Sequence, residues 1–140
     1  MANIDANDLK IQTQMAGTYG NLSVAIATIT AAGLDDGDVL RFLNLPPNIR
    51  LVDGYLIHGA GGSSRTMRLG YVHEDGESGD DDAFFFAATT IAAEGRIRAN
   101  AAKAPATVER RSLIVGTLAG GGVAAERDYT AVVFYEYTNR

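Results

Sequence analysis

The chain has no cysteine and no tryptophan, and only three of its 140 residues are proline. Without cysteine there are no disulfides, no thiolate zinc sites and no cysteine nucleophile. No apolar run approaches the roughly 18 residues that a membrane-spanning helix needs. The start, Met1-Ala2-Asn3-Ile4-Asp5, lacks the basic and apolar stretches of a signal peptide, so a soluble protein held in the cell or released by lysis is expected. Lysine is nearly missing too: Lys10 and Lys103 stand against ten arginines. Arginine is enriched and lysine depleted at protein interfaces, because the guanidinium forms planar, weakly hydrated pairs; a biased genome composition is the competing explanation of the skew.

What is present is a chain of ordinary apolar content, 46%, long enough for one core. Net charge is −5, and six of the 17 acids fall in segment 73–82, which leaves 11 acids against 12 bases elsewhere. The body is therefore almost neutral and shows no basic stripe of the kind that neutralises phosphates, so no nucleic-acid partner is expected.

The hydrophobic pattern has period two. Residues 9–15 alternate, with Ile11, Thr13 and Met15 on one face. Leu22, Val24 and Ile26 alternate with smaller neighbours. Val39–Leu45 is a dense apolar run closed by Pro46-Pro47. Ile49–His58 places Leu51, Asp53, Tyr55 and Ile57 on one side, and Arg65–Val72 follows the glycine turn 59–62. Ser112–Leu118 precedes Gly120-Gly121-Gly122, and Tyr129–Thr138 sets Tyr129, Val133, Tyr135 and Tyr137 on one face with Val132 and Phe134 on the other. Short strands punctuated by Gly and Pro predict an all-β fold, an antiparallel jelly roll or β-sandwich in which strand residues outnumber helical ones at least twofold. One short helix is expected between Asp81 and Gly95, with acids in its first turn, Phe84, Ala88 and Ile91 on one face, and Gly95 as its C-cap.

No catalytic constellation stands out. The glycine turns 59–62 and 116–122 lack the lysine and the strand–turn–helix context of a phosphate loop and read as hairpin turns. The acids of 73–82 and of Asp35-Asp36-Gly37-Asp38 lack EF-hand spacing, leaving a weak surface calcium site or a solvated, partner-facing loop. His58 and His73 are too few for a catalytic zinc centre, and Ser63, Ser64 and Ser112 have no nucleophile-elbow context. Nothing nominates a carboxylate pair for glycoside hydrolysis, and no cofactor and no metal are expected. The aromatic C-terminal strand and the arginines are the remaining signal. Arg65, Arg68, Arg96, Arg98, Arg110 and Arg111, with Tyr129, Tyr135 and Tyr137, are the candidate interface residues. Arg96 and Arg98 share a strand face with Ile97 turned inward, and some of the six arginines are expected to pair with carboxylates of a neighbouring chain, the 73–82 loop being a candidate.

Four blocks carry a resemblance: Phe42-Leu43-Asn44-Leu45-Pro46-Pro47-Asn48-Ile49-Arg50-Leu51-Val52-Asp53-Gly54, then Leu69-Gly70-Tyr71, then Phe86-Ala87-Ala88-Thr89, then Val132-Val133-Phe134-Tyr135-Glu136-Tyr137. In this order, from about residue 37 onward, the chain resembles small structural proteins of tailed bacteriophages, and among them the head cement (decoration) proteins of short-tailed phages. The resemblance implies a jelly roll on the outer capsid surface of the virion that clamps adjacent major capsid proteins, without enzymatic activity. It implies one jelly-roll domain over 1–140; residues 1–36 match no block and are expected to be an arm on the shell or a strand lent to a neighbour. The major capsid protein is the expected partner, together with a second copy of the chain: a homodimer first, a trimer second. A tail- or fibre-associated structural protein and a lectin-like, sugar-binding jelly roll are the alternatives.

Overall fold

A computed structural model describes residues 2–6, 22–74 and 79–138. They contain ten strands: β1 (Asn3–Asp5), β2 (Ser23–Ala31), β3 (Val39–Leu45), β4 (Ile49–His58), β5 (Thr66–His73), β6 (Asp81–Thr90), β7 (Gly95–Arg98), β8 (Ala106–Val108), β9 (Ser112–Ala119) and β10 (Arg127–Tyr137). Among the described residues there is no helix. The strand expected over residues 9–15 lies outside them.

Two sheets form, with orders β1-β3-β9-β5-β6 and β2-β10-β4-β7, and β8 pairs with β4. Leaving aside the three-residue strands β1 and β8, each sheet holds four strands in the order produced by two Greek keys, which is the jelly roll. Every pairing is antiparallel except β1 on β3. The first residues are thus built into a sheet: Val39 donates to the Ala2 carbonyl and Ala6 to that of Arg41, both at 2.9 Å.

The core lies between the sheets, where Phe42, Phe85, Phe86, Leu40, Leu56, Met67, Leu69 and Tyr129 are fully buried. Burial of this kind is worth about 1.5–3 kcal/mol per large side chain. In β2 the buried residues are Ala25, Ala27 and Ile29, and the larger Val24 and Ile26 point away from the core. In β10 the buried residues on the inner face are Tyr129, Ala131, Val133 and Tyr135, and Val132, on the other face, is buried as well. Opposite one another across the pair stand Tyr129 with Ile29, Ala131 with Ala27 and Val133 with Ala25. The inner face at this edge is filled by tyrosines and thinned by alanines, while Val24 and Ile26 of β2 point outward.

Three sequence expectations change. The helix over 81–95 is replaced by β6, whose three consecutive phenylalanines are all buried. Leu69 pairs with Phe86 and Tyr71 with Asp81, so residues 82–85 lie against the single Gly70. That wide bulge turns Phe84, Phe85 and Phe86 inward together, and the freed Phe85 carbonyl accepts from Asn100 at 3.0 Å and Ala101 at 3.1 Å. The acids expected in a first helical turn instead meet cations: Asp81 pairs with Lys103 at 3.0 Å and Asp82 with Arg68 at 2.9 Å. Gly95 opens β7 opposite His58 rather than capping a helix.

The glycine turns are not hairpins. Residues 59–62 lead from β4 in one sheet to β5 in the other, and residues 120–122 lie in the crossing from β9 to β10. Gly120 has a φ of +84°, and a Cβ there would overlap the Ser64 carbonyl, so the crossing loops touch through backbone. Finally, Leu51 parts company with Asp53, Tyr55 and Ile57. The register breaks between Phe134 and Tyr135, which pair with Asp53 and Leu51, and the bulge at Val52 sends Leu51 into the core.

Candidate protein-contact surface

The outer face of the β2-β10-β4-β7 sheet is the most distinctive surface of the molecule. Hydrogen-bonded register sets Ile26, Val132, Tyr55 and Arg98 in one row across the four strands, and Thr28, Thr130, Ile57 and Arg96 in the next. On the other side of the first row, Val24, Phe134 and Asp53 are neighbours. Leu22 is 59% exposed, Ile26 53%, Val24 50% and Ile57 37%, and these are the exposed large hydrophobics of the described chain. Scattered single residues of this kind are ordinary, but a contiguous group marks a contact site.

The aromatic part of the face is ordered by its cations. Tyr55 and Phe134 have ring centroids 6.3 Å apart. The Arg96 guanidinium lies 4.6 Å from the Tyr55 centroid and that of Arg98 lies 5.7 Å from it. Arg98 also stands 3.9 Å from Asp53, whereas no described carboxylate lies within ion-pair distance of Arg96. Polar pairs edge the patch: Thr28 with Thr130 at 2.9 Å, Thr30 donating to Asp128 at 2.6 Å, and Arg50 with Glu136 at 2.7 Å. An apolar centre with a polar rim is the anatomy of a protein interface.

The residues singled out in the sequence are distributed as follows. Arg96 and Arg98 lie together on this face, with Ile97 buried beneath them. Arg65 holds the crossing loops, donating to the Gly122 carbonyl at 2.8 Å and to that of Ser63 at 2.9 Å. Arg68 is taken by Asp82. Arg111 donates to Asn44 at 3.3 Å, and Arg110 lines a shallow cleft with Tyr71 and His73. Tyr129 and Tyr135 are buried at 0% and 4% exposure, and Tyr137 packs half-buried against the core. The tyrosine face of β10 is therefore its inner face, and Tyr129 and Tyr135 offer no surface to a partner. Alternation identifies two faces but not which is inside, and the choice went to the side with greater aromatic volume. Desolvation pushes the phenols of Tyr129 and Tyr135 above their ordinary range.

The sequence reading missed Leu22, Val24, Ile26, Tyr55, Ile57 and Phe134 as contact residues. Their one signal was the alternation of bulky residues with alanine in β2, which leaves the larger set without a place in a tightly packed core.

The other candidates are held by the fold. Asp38, in the acidic turn, is buried and accepts from the Ala2 and Asp35 backbone N–H groups, each at 2.9 Å. Those two bonds, Asp35 first, keep its carboxyl below the usual range against the opposing effect of burial. Nδ1 of His73 lies 3.0 Å from Ser112 Oγ, and the Ser112 hydroxyl donates to the Arg110 carbonyl at 2.9 Å. With its proton so placed, Ser112 accepts from the ring, which is the reverse of an activated nucleophile. His58 Nδ1 sits 3.1 Å from the Gly59 carbonyl. Among the described residues no three His, Asp or Glu side chains gather around a common point; residues 75–78 of the acidic loop lie outside them.

Fold and surface together define an all-β jelly roll with one outward sheet face that exposes large apolar side chains. No protein-family model matches the chain, and no curated protein matches it. Its structure is similar to a chain in the capsid of Ralstonia phage GP4, with 20% identity, 99% of each chain covered and a TM-score of 0.75. A chain of the capsid asymmetric unit of cyanophage Pam1 shares 16% identity over 91% of this chain and 93% of that one, with a TM-score of 0.67. A third, from the acid-stable capsid of Helicobacter pylori bacteriophage KHP30, shares 13% identity over 84% and 89%, with a TM-score of 0.57. This chain has the jelly-roll fold found within those capsid structures.

Proposed function

We propose that the protein is a structural component of a phage head that binds the outside of the capsid shell and cements adjacent shell subunits, without catalysing a reaction. The observation that carries this reading is the outer face of the β2-β10-β4-β7 sheet: Leu22, Val24, Ile26 and Ile57 exposed around the stacked Tyr55, Arg96 and Arg98. Meeting another protein would take this apolar area out of water. The end-to-end likeness to a chain of a phage capsid supports the head as its location. The partner surface that fits is apolar at its centre and carries a carboxylate opposite Arg96.

Cement acts by linkage. A ligand that binds the assembled shell and not its separated subunits stabilises the shell by about 2.7 kcal/mol per site at 100-fold excess over Kd. Repeated over a lattice, modest contacts resist the pressure of packaged DNA.

The test compares heads with and without the protein. Heads lacking it are expected to release DNA at lower temperature, and adding purified protein should restore the difference. Identical release from bare and decorated heads, or labelling of the tail instead of the head, overturns the proposal. A positive glycan-binding screen with no shell binding would move the function to sugar recognition.

A further inference from the structure

A guanidinium held by backbone carbonyls keeps its full charge, because a carbonyl accepts a hydrogen bond without bringing a negative charge. Two such arginines face one cleft, at the end of the sandwich where the β4–β5 and β9–β10 crossings meet. Its walls are residues 60–63 and 122–125, and its charged side chains are Arg65 and Arg127. Arg65 is held by the Gly122 and Ser63 carbonyls. Arg127 donates through Nε to the Ala60 carbonyl at 2.8 Å and through Nη1 to that of Glu126 at 2.9 Å. Neither has a described carboxylate within ion-pair distance. The glycine turns let both side chains lie on backbone. A Cβ at Gly59 would come within 2.7 Å of Arg127 Cδ, and one at Gly121 within 3.1 Å of Arg65 Cζ.

We propose that this cleft binds a carboxylate side chain, an aspartate or glutamate, of the shell protein to which the chain attaches. The partner's identity rests on the shell-binding reading, whereas recognition of a carboxylate rests on the cleft alone. A guanidinium carries five N–H groups, so each arginine keeps donors for an anion, and arginine pairs with carboxylates in a planar, bidentate geometry. Fixing both side chains in advance lowers the entropy that an ion pair ordinarily loses. The described acids of segment 73–82 are engaged or distant. Asp81 and Asp82 are paired with Lys103 and Arg68. Glu74 and Asp80 stand at His73, the far end of β5, more than about 20 Å from Thr66 at about 3.3 Å per residue.

Beyond Arg127, a second cleft is lined by Glu94, Glu126 and Asp128. On a molecule of net charge −5 these acids repel a polyanion such as a nucleic acid, whose charge would extend past the first cleft. They oppose a single carboxylate seated against Arg65 far less. Ile57, from the outer-face rows, borders the second cleft too, so a partner lying on that face also comes to this end of the molecule.

The experiment fills the cleft from within. Ala124 is exposed on its wall, so Ala124→Glu supplies a carboxylate and leaves the backbone bonds of both arginines in place; Ala124→Gln is the uncharged match. Both variants should keep the wild-type circular dichroism. In the wild type, N-acetylaspartate amide at low salt should shift the Nε–H resonances of Arg65 and Arg127 saturably. Ala124→Glu should lose that response and Ala124→Gln should keep it. Binding to heads that lack the protein should weaken by about tenfold or more in Ala124→Glu and by less than about twofold in Ala124→Gln.

Wild-type resonances that ignore the carboxylate overturn the inference. So do equal losses of head binding in the two variants, which would make the contact steric. Inorganic phosphate that shifts both resonances where the carboxylate does not would assign the cleft to another anion and overturn it as well. Full head binding by Ala124→Glu overturns the inference and leaves the shell-binding proposal standing. A wild type that responds to the carboxylate and binds no head sinks the shell-binding proposal, and with it the named partner, while recognition of a carboxylate by the cleft stands.

Discussion

Arg96 lies over Tyr55, its guanidinium carbon 4.6 Å from the ring centroid, with Arg98 on the same ring at 5.7 Å. Two cations on one phenol hold a flat aromatic platform on the outer face of the sheet. At an exposed site each such contact is worth about 0.5–1 kcal/mol. Arg96→Ala should therefore change the stability of the isolated protein by less than about 1 kcal/mol. The same substitution should weaken shell binding by about tenfold, and Arg96→Ala/Arg98→Ala should flatten the salt dependence of binding. Binding that is insensitive to both changes would place the contact elsewhere on the molecule.

Tyr129 is fully buried and its hydroxyl has no hydrogen-bond partner among the described residues. Removing an unsatisfied buried polar atom relieves its desolvation cost. Tyr129→Phe is expected to be neutral or to stabilise the fold by about 1 kcal/mol, measured by urea denaturation. A loss of more than about 1 kcal/mol would show that the hydroxyl is bonded after all.

Gly70 is the point against which β6 bulges. A Cβ there would overlap the backbone of Asp81 and Asp82 and come within 2.7 Å of the Ala83 nitrogen. Backbone cannot swing aside as a side chain can, so Gly70→Ala should cost about 3 kcal/mol or prevent folding. Gly37→Ala is the control: its Cβ would meet nothing within 4 Å, so only the strain of its φ of +89° opposes the change. Its smaller loss, about 1 kcal/mol, separates steric overlap from conformational strain. Equal losses in the two variants would remove the steric argument.

Asp38 makes the start of the chain sensitive to acid. Two backbone N–H bonds lower its pKa in the folded state, so its contribution is complete above about pH 3.9 and is lost as pH falls through the lowered value. Asp38→Ala should cost about 2 kcal/mol at neutral pH, and this deficit should shrink as the pH falls below about 3.9 and through the lowered folded-state value. Denaturation curves at several acid pH values test this, and a deficit that stays constant across the acid range would refute the linkage.

Much of the fold was legible in the residues. Period-two alternation and the Gly and Pro punctuation identified the strands, because an extended backbone places alternate side chains on opposite faces wherever it pairs. Ile97 between Arg96 and Arg98 was legible for the same reason. The segment 81–90 was not. Phe84-Phe85-Phe86 breaks the alternation, and only the approach of Gly70 on a neighbouring strand makes room for the bulge that buries all three.

By itself the sequence determined that the chain folds mainly into strands, has no thiol chemistry and keeps its excess acid in one segment; each of these follows from residue identity and local spacing. Tertiary structure alone decided which strands meet. Among consecutive strands only β5 and β6 pair, while β10 closes against β2 from more than 90 residues away. It also decided which face of each strand is inside. Tyr129 and Tyr135 fill the core and Val24, Ile26 and Phe134 form the outer face, because the space between the two sheets takes one side of β2 and β10 and leaves the other outward.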